Sequence, residues 1–284
     1  MSCAFLNPNG YTILDGGLGA AVQATGIPGL RSETVALTHP EVLAGIHRAY
    51  IEAGAQIIAA STFVANRAKL APLGVELEDA IAAALDVAKR AAAGTGAAVA
   101  LDVGPLGTLM EPNGALTFED AYAQYREIAA LGEKHGADLI YLETMTDLGE
   151  IRAALLASKE NTSLPVFASM SFEKDGRTFT GCDVRAAAVA LSALGADAVG
   201  INCSLGPDDI FPIAQALCAH TDLPVLIKAN AGLPDPATGG YSIDAAAFLA
   251  QMRPYEALGI AGVGGCCGTT PAFIELLSGY FRDK

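Results

Sequence analysis

The chain has 284 residues, 52% of them apolar, and a formal net charge of -14 from 17 basic and 31 acidic side chains. That length suits a single domain with one large core, since an α/β barrel fills about 250 residues as one unit. A surface this acidic repels phosphate backbones and anionic lipid, so neither nucleic acid nor a membrane is an expected partner. Met1 to Gly10 carries no basic residue and no apolar run, and charge interrupts every long alanine-rich stretch. No targeting or membrane segment is therefore expected, and the expected compartment is the cytoplasm. There the six cysteines (Cys3, Cys182, Cys203, Cys218, Cys266 and Cys267) would be reduced, as core residues, metal ligands or reactive thiols.

One unit recurs along the chain: a short β-rich run, a glycine or polar break, a segment of helical period, then glycine or proline. The first run, 11–14, breaks at Asp15-Gly16-Gly17. Thr38 and Glu41 have capping-box spacing ahead of a helix through Tyr50 that Gly54 ends. The second run, 55–60, breaks at Ser61-Thr62, and a helix over 78–93 leads to the third, 97–103, which breaks at Gly104-Pro105. Thr117 and Asp120 cap a helix that stops at Gly136, and the fourth run, 138–142, breaks at Glu143-Thr144. A helix over 148–159 precedes the fifth run, 166–171, and a helix over 184–194, ended by Gly195, precedes the sixth, 198–203. Helix 210–219 leads to the seventh run, 225–230, and helix 243–255 with Gly259 leads to the eighth, 260–264. Thr270 and Pro271 suit the N-cap and first position of a last helix reaching Phe281.

Eight strands, each followed by a helix and with no linker between them, predict an α/β fold: a parallel (β/α)8 TIM barrel forming one domain over 1–284. An open doubly wound sheet is the alternative. The unusual residue groups all fall at strand C-terminal ends: Asp15, Ser61-Thr62, Gly104-Pro105, Glu143-Thr144, Asn202-Cys203, Asn230 and Cys266-Cys267. In a barrel that rim carries the active site.

Gly265-Cys266-Cys267-Gly268 is hard to explain as packing. With Cys203 from the sixth strand, Cys266 and Cys267 give three sulfur ligands and an open fourth position, the pattern of a catalytic zinc. His39 precedes a proline, while His47, His135 and His220 fall in or at the end of helices, so no histidine competes as a ligand. The plainer reading, small buried hydrophobes, suits Cys3, Cys182 and Cys218 better than the trio, and redox pairs usually space their cysteines by two residues. Zinc held by three thiolates activates water poorly, but it can take a substrate thiol as fourth ligand and keep it a thiolate at neutral pH. Sulfur alkylation therefore fits better than hydrolysis. Asp15 and Glu143, on the same rim, are candidates to hold a substrate ammonium; a turn or cap role for Asp15 and a rim salt bridge for Glu143 are the plainer alternatives. The Gly16-Gly17 turn offers backbone N–H groups to a carboxylate. Lys228, within the seventh strand, would suit a Schiff-base aldolase, but that reading leaves the cysteines idle.

The motifs LDGGLGA, STFVANRAKL, ETMTDL, GRTFTG, GINCSLGP, NAGLP and GGCCGTTP run through the chain. In them it resembles the homocysteine S-methyltransferase family over 11–277, most closely the homocysteine-binding barrels of cobalamin-dependent methionine synthases. GINCS together with GGCCGT is the specific part. The resemblance implies one zinc per chain on Cys203, Cys266 and Cys267, with the homocysteine thiolate as fourth ligand. It places the amino group of homocysteine on Asp15 and Glu143 and its carboxylate end at Gly16-Gly17. The implied reaction is methyl transfer to that thiolate, giving methionine. The chain departs from the methionine-synthase pattern at Ala229, where a proline is usual, and at Phe273, where a histidine is usual; both are expected near the rim. Methionine synthases continue into folate, cobalamin and activation domains, whereas this sequence stops after the barrel. The donor expected is a methyl-corrinoid on a separate protein. The alternatives are a small donor such as S-methylmethionine or a betaine, a different thiol acceptor, and a non-catalytic zinc- and thiol-binding subunit.

Overall fold

The eight runs form strands β1 Thr12–Ile13, β2 Ile57–Ala59, β3 Ala98–Val103, β4 Leu139–Met145, β5 Val166–Met170, β6 Ala198–Asn202, β7 Val225–Ala229 and β8 Gly262–Gly265. The structure, a computed structural model, describes residues 5–235, 237, 239–282 and 284, so Cys3 lies outside the described residues. Every neighbouring pair is parallel, in the order β1-β8-β7-β6-β5-β4-β3-β2, and a parallel bridge between Leu14 and Ile57 joins the two ends of the sheet. With a helix after each strand this is a (β/α)8 barrel.

The strands are buried on both faces, and their period of two sorts the side chains. One set, including Val99, Leu101, Ile140, Leu142, Val166, Ala168, Val199, Ile201, Val225 and Ile227, packs with the helices in the main core. The other set, Ile57, Ala98, Ala100, Leu139, Tyr141, Phe167, Ala198 and Leu226, forms a separate cluster that fills the barrel interior, with Leu6 and Leu14. Two residues further along the same inward rows stand Asp102, Glu143, Ser169 and Lys228, all buried. The interior thus changes from apolar to polar toward the C-terminal rim, and the alternation of each strand delivers that layer.

Boundaries differ from the sequence expectation where a tertiary partner takes over. Strand β4 does not break at Glu143-Thr144 but runs on to Met145, with a register shift against β5 and Thr144 in the left-handed region (φ 60°). The expected capping box at Thr38 does not form. Thr38 ends a short helix, Val35–Thr38, and its hydroxyl donates to the Thr34 carbonyl; the next helix, Pro40–Glu52, starts on proline with no side-chain cap. Thr117 does cap its helix, accepting from Asp120 N–H at 3.1 Å. The last connecting helix is shorter than expected, Ala245–Met252, and continues as a 3-10 turn over Arg253–Leu258. A helix at Leu18–Ala24 had no signal, because its glycine-rich start reads as a turn. Among the described residues no helix is long and apolar enough to cross a membrane.

His47 lies on the inner face of the helix Pro40–Glu52, fully buried, and neither ring nitrogen has a hydrogen-bond partner. Burial pushes its pKa down to about 4, so the folded protein keeps it neutral where the unfolded chain, near 6.5, binds a proton. The unfolded state therefore binds more protons between these values, and stability falls as pH drops through this window. The slope approaches about 1.4 kcal/mol per pH unit, on the order of 3 kcal/mol in all. Urea unfolding from pH 7 to 4.5 should show this loss in the wild type and a flatter curve in His47→Leu; parallel curves would refute the assignment.

Candidate functional site

Cys203 follows β6 directly. It and Ser204 take left-handed backbone (φ 62° and 58°), conformations costly for residues with a side chain and concentrated at functional sites. The turn is held by Cys203 N–H to the Lys228 carbonyl (3.1 Å) and Leu205 N–H to the Cys203 carbonyl (2.7 Å). Cys266 and Cys267 follow β8. The Cys266 N–H donates to the Ala229 carbonyl (2.8 Å), the Cys267 N–H to Asn230 Oδ1 (3.0 Å), and Thr269 Oγ1 to the Cys266 carbonyl (2.7 Å). The flanking glycines are required by close approach: a Cβ on Gly265 would meet Thr269 Oγ1 at 2.3 Å, and one on Gly268 (φ 80°) would meet the Tyr241 ring at 2.2 Å.

This backbone brings the three Sγ atoms within 4.8 Å of one another, with Cys203 and Cys267 at 3.7 Å. Two sulfurs each about 2.3 Å from a tetrahedral zinc stand about 3.8 Å apart, so the spacing and the soft donor set both suit that ion. The thiols are electrically linked. Hydrogen bonds from Cys203 and Cys266 hold Cys267 far below the usual thiol range, while contacts with Cys203 and Cys267, then burial, push Cys266 up.

Asn202, the last residue of β6, ties this corner to β4 and β5. Its Oδ1 accepts from Thr144 N–H (2.8 Å) and Ser169 Oγ (2.9 Å), and its Nδ2 donates to Thr144 Oγ1 (2.7 Å) and points at Cys266 Sγ (3.9 Å). These bonds hold Thr144 in its left-handed conformation and account for the continuation of β4 past Glu143.

Asp15 and Glu143 come together across the barrel, and Lys228 stands between them. Lys228 Nζ lies 3.0 Å from Asp15 Oδ1 and 3.2 Å from Glu143 Oε2, with the ammonium 5.4 Å from the centre of the Tyr141 ring. Asp15 Oδ2 also accepts from Ala59 N–H at 2.7 Å. Burial alone would push Lys228 down, but the two carboxylates outweigh it and hold the amine well above its usual range. A Schiff-base lysine must be neutral to react, so this pairing speaks against the aldolase alternative. Burial pushes Glu143 up, against the pull of Lys228.

Gly16 and Gly17 lie against the cysteine turn. A Cβ on Gly17 would meet the Cys266 carbonyl oxygen at 2.6 Å, and one on Gly16 would meet Thr269 Oγ1 and the Tyr50 ring, each at 2.8 Å. The Gly17 N–H already donates to Thr269 Oγ1 (3.2 Å), so of the expected N–H groups this one is taken. Gly16, Gly17, Glu143, Lys228, Cys203, Cys266 and Cys267 line one cavity of about 260 Å³ at the rim, large enough for a small amino acid. Asp102 lines it too, a residue the sequence reading passed over; burial, then the nearby Glu143 charge, pushes its carboxyl well above the usual range.

The two departures from the methionine-synthase pattern lie off the cavity. Phe273 packs edge-on to Phe248 at 5.4 Å in the helix layer, whereas Ala229 ends β7 at the rim, where its carbonyl takes the Cys266 N–H while its side chain packs in the main core; neither side chain lines the cavity. Cys182 and Cys218 are half-buried against the main core.

Fold and site together define a barrel with a sulfur-lined centre on the rim where barrel enzymes carry their chemistry. Residues 12–280 match the family described as homocysteine S-methyltransferase, and the chain belongs to that family. It is 33% identical over 294 aligned positions to methionine synthase of Mycobacterium tuberculosis (strain ATCC 25618 / H37Rv), an alignment covering 92% of this chain and 24% of the relative. To methionine synthase of Mycobacterium leprae (strain TN) it is 32% identical, over 84% of this chain and 21% of that protein. The chain thus spans about a fifth to a quarter of the length of these curated relatives. The homocysteine methyltransferase MmuM from Escherichia coli superposes with a TM-score of 0.81 in its oxidized form, at 25% identity, covering 95% of each chain. Its metallated form gives a TM-score of 0.78 at 24% identity, over 95% of this chain and 96% of that one.

Proposed function

We propose that the chain, taken as one homocysteine-binding barrel over 1–284, transfers a methyl group to the thiolate of L-homocysteine and yields methionine. The donor in this proposal is a methyl-corrinoid supplied in trans. The observation that carries it is the convergence of Cys203, Cys266 and Cys267 within 4.8 Å beside a cavity that also presents Glu143 and the Gly16-Gly17 turn. The three cysteines would hold one zinc ion, which when bound supplies a Lewis acid that lowers the pKa of a substrate thiol from about 8.5 and keeps it ionised at neutral pH.

The protein's own groups set the pose. The acidic layer around Asp15 and Glu143 receives the amino end of the substrate. The Gly16-Gly17 turn receives its carboxylate end, with the Thr269 hydroxyl giving up the Gly17 N–H to it, and the thiol is left directed at the cysteines. The cavity walls, apolar at Leu18, Ala59, Phe63 and Val64, exclude water from the sulfur. In the transfer the sulfur lone pair forms the S–CH3 bond while the bond from methyl carbon to donor breaks, leaving its electron pair on the donor.

Methionine formation should be measured with the zinc-loaded protein and homocysteine against methylcobalamin, S-methylmethionine, betaine and a methylfolate in parallel. Methionine is expected with methylcobalamin. Turnover with S-methylmethionine or betaine alone would overturn the corrinoid donor, and no methionine with any donor would overturn the methyltransferase reading in favour of a thiol-binding subunit.

A further inference from the structure

Two buried acids, Asp102 and Glu143, line the cavity, a third, Asp15, is buried against Lys228 without lining it, and Lys228 is the one cation lining it among the described residues. Lys228 is fully engaged with Asp15 and Glu143. Asp102 is left over. It is 5% exposed, it lines the cavity, and its Oδ1 has no hydrogen-bond partner.

The position is fixed by the backbone. Thr62 Oγ1 accepts from the Asp102 N–H at 3.0 Å and donates to the Asp102 carbonyl at 2.8 Å. Asp102 sits in the inward row of β3 that Ala98 and Ala100 begin, in register with Tyr141 of β4, whose ring lies under Lys228. A buried carboxyl oxygen without a hydrogen-bond partner is costly, and native proteins keep such groups where a ligand completes them. An α-amino acid brings the missing element, a compact cation with three N–H donors.

We propose that Asp102 is a substrate-binding residue: its carboxylate accepts a hydrogen bond from the α-ammonium of the thiol acceptor and makes the site select α-amino thiols over plain thiols. This rests on the acceptor reading given above. The ammonium enters the layer as its second cation, and its charge favours the ionised form of Asp102 that burial otherwise disfavours.

The test compares homocysteine with 4-mercaptobutyrate, which keeps the thiol and the carboxylate but lacks the amino group. Binding of each to zinc-loaded wild type and Asp102→Asn is read by calorimetry. The wild type should prefer homocysteine. Asp102→Asn should lose about 10- to 100-fold in homocysteine affinity, the scale of a hydrogen bond to a charged group, while 4-mercaptobutyrate changes less than about twofold. Equal losses for the two thiols, or no loss for either, would overturn the proposal. Should Asp102→Asn fail to fold, Thr62→Val decides, since it frees the Asp102 backbone: a loss confined to homocysteine supports the role, and a loss shared by both thiols refutes it. A wild type that binds both thiols equally sinks this inference alone, whereas one that binds neither sinks the acceptor reading with it.

Discussion

Cys266→Ala is expected to reduce zinc content from about one ion per chain to almost none, and methionine formation by at least about a thousandfold. Cys266 is the most buried of the three sulfurs, and it is the one Asn202 faces from across the rim. Removing it leaves Cys203 and Cys267, 3.7 Å apart, as a two-sulfur edge with no third protein donor among the described residues to close the coordination. No histidine lines the cavity to replace it. The side-chain change is small, so the barrel should fold. The distinguishing readout is thermal: an ion that binds only the folded state adds stability by mass action, so a chelator should lower the Tm of the wild type and leave that of Cys266→Ala unmoved. Stoichiometric zinc retained by the variant, measured by atomic emission after dialysis, would remove Cys266 from the ligand set.

How far the site was legible in the sequence depended on the range of the interactions. The glycine-flanked Cys266-Cys267 corner is local, and its oddity is visible without a fold. Cys203 needed only the strand count, because parity and the barrel rule place every strand end on one rim. The salt bridge weighed for Glu143 forms, but Lys228 as its partner was not legible, because Lys228 lies 213 and 85 residues from Asp15 and Glu143 and nothing in the run Val225–Ala229 announces an ion pair. Asp102 was missed although it is the single charge in the apolar run Ala98–Val103; counting inward parity from Ala98 would have put it on the cavity. The false break after Leu142 has a similar origin. Glu143-Thr144 looks like a strand end by composition, and only the amide of Asn202, 58 residues on, carries the strand through it. At Thr38 the error was local: the spacing was right, but the short helix before it takes the hydroxyl for the Thr34 carbonyl.

Lys228→Met should cost about 3 to 5 kcal/mol of stability at pH 7.5, the scale for removing one partner from a buried ion pair. Methionine fills most of the lysine volume, so the loss reports charge rather than packing. What remains is Asp15 and Glu143, 2% and 7% exposed, with Asp102 beside them and, among the described residues, no cation lining the cavity. The pH dependence separates this cause from a packing defect. In the wild type the carboxylates hold Lys228 above its usual range, so from pH 5 to 8 it is charged in both folded and unfolded states and contributes no slope. In the variant Glu143 and Asp102, whose carboxyls burial already pushes up, lose the Lys228 charge that opposed that shift, so their folded pKa values stand further above the unfolded ones. The folded state then binds more protons than the unfolded state, and stability rises as pH falls. The deficit against wild type, measured by urea unfolding, should therefore be largest near pH 8 and shrink toward pH 5. Adding Glu143→Gln to Lys228→Met should return part of it at pH 8, about 1 to 2 kcal/mol, because the neutral amide removes one of the repelling charges. A deficit below about 1 kcal/mol, or one that does not change with pH, would mean that Lys228 is not what makes the acidic layer tolerable.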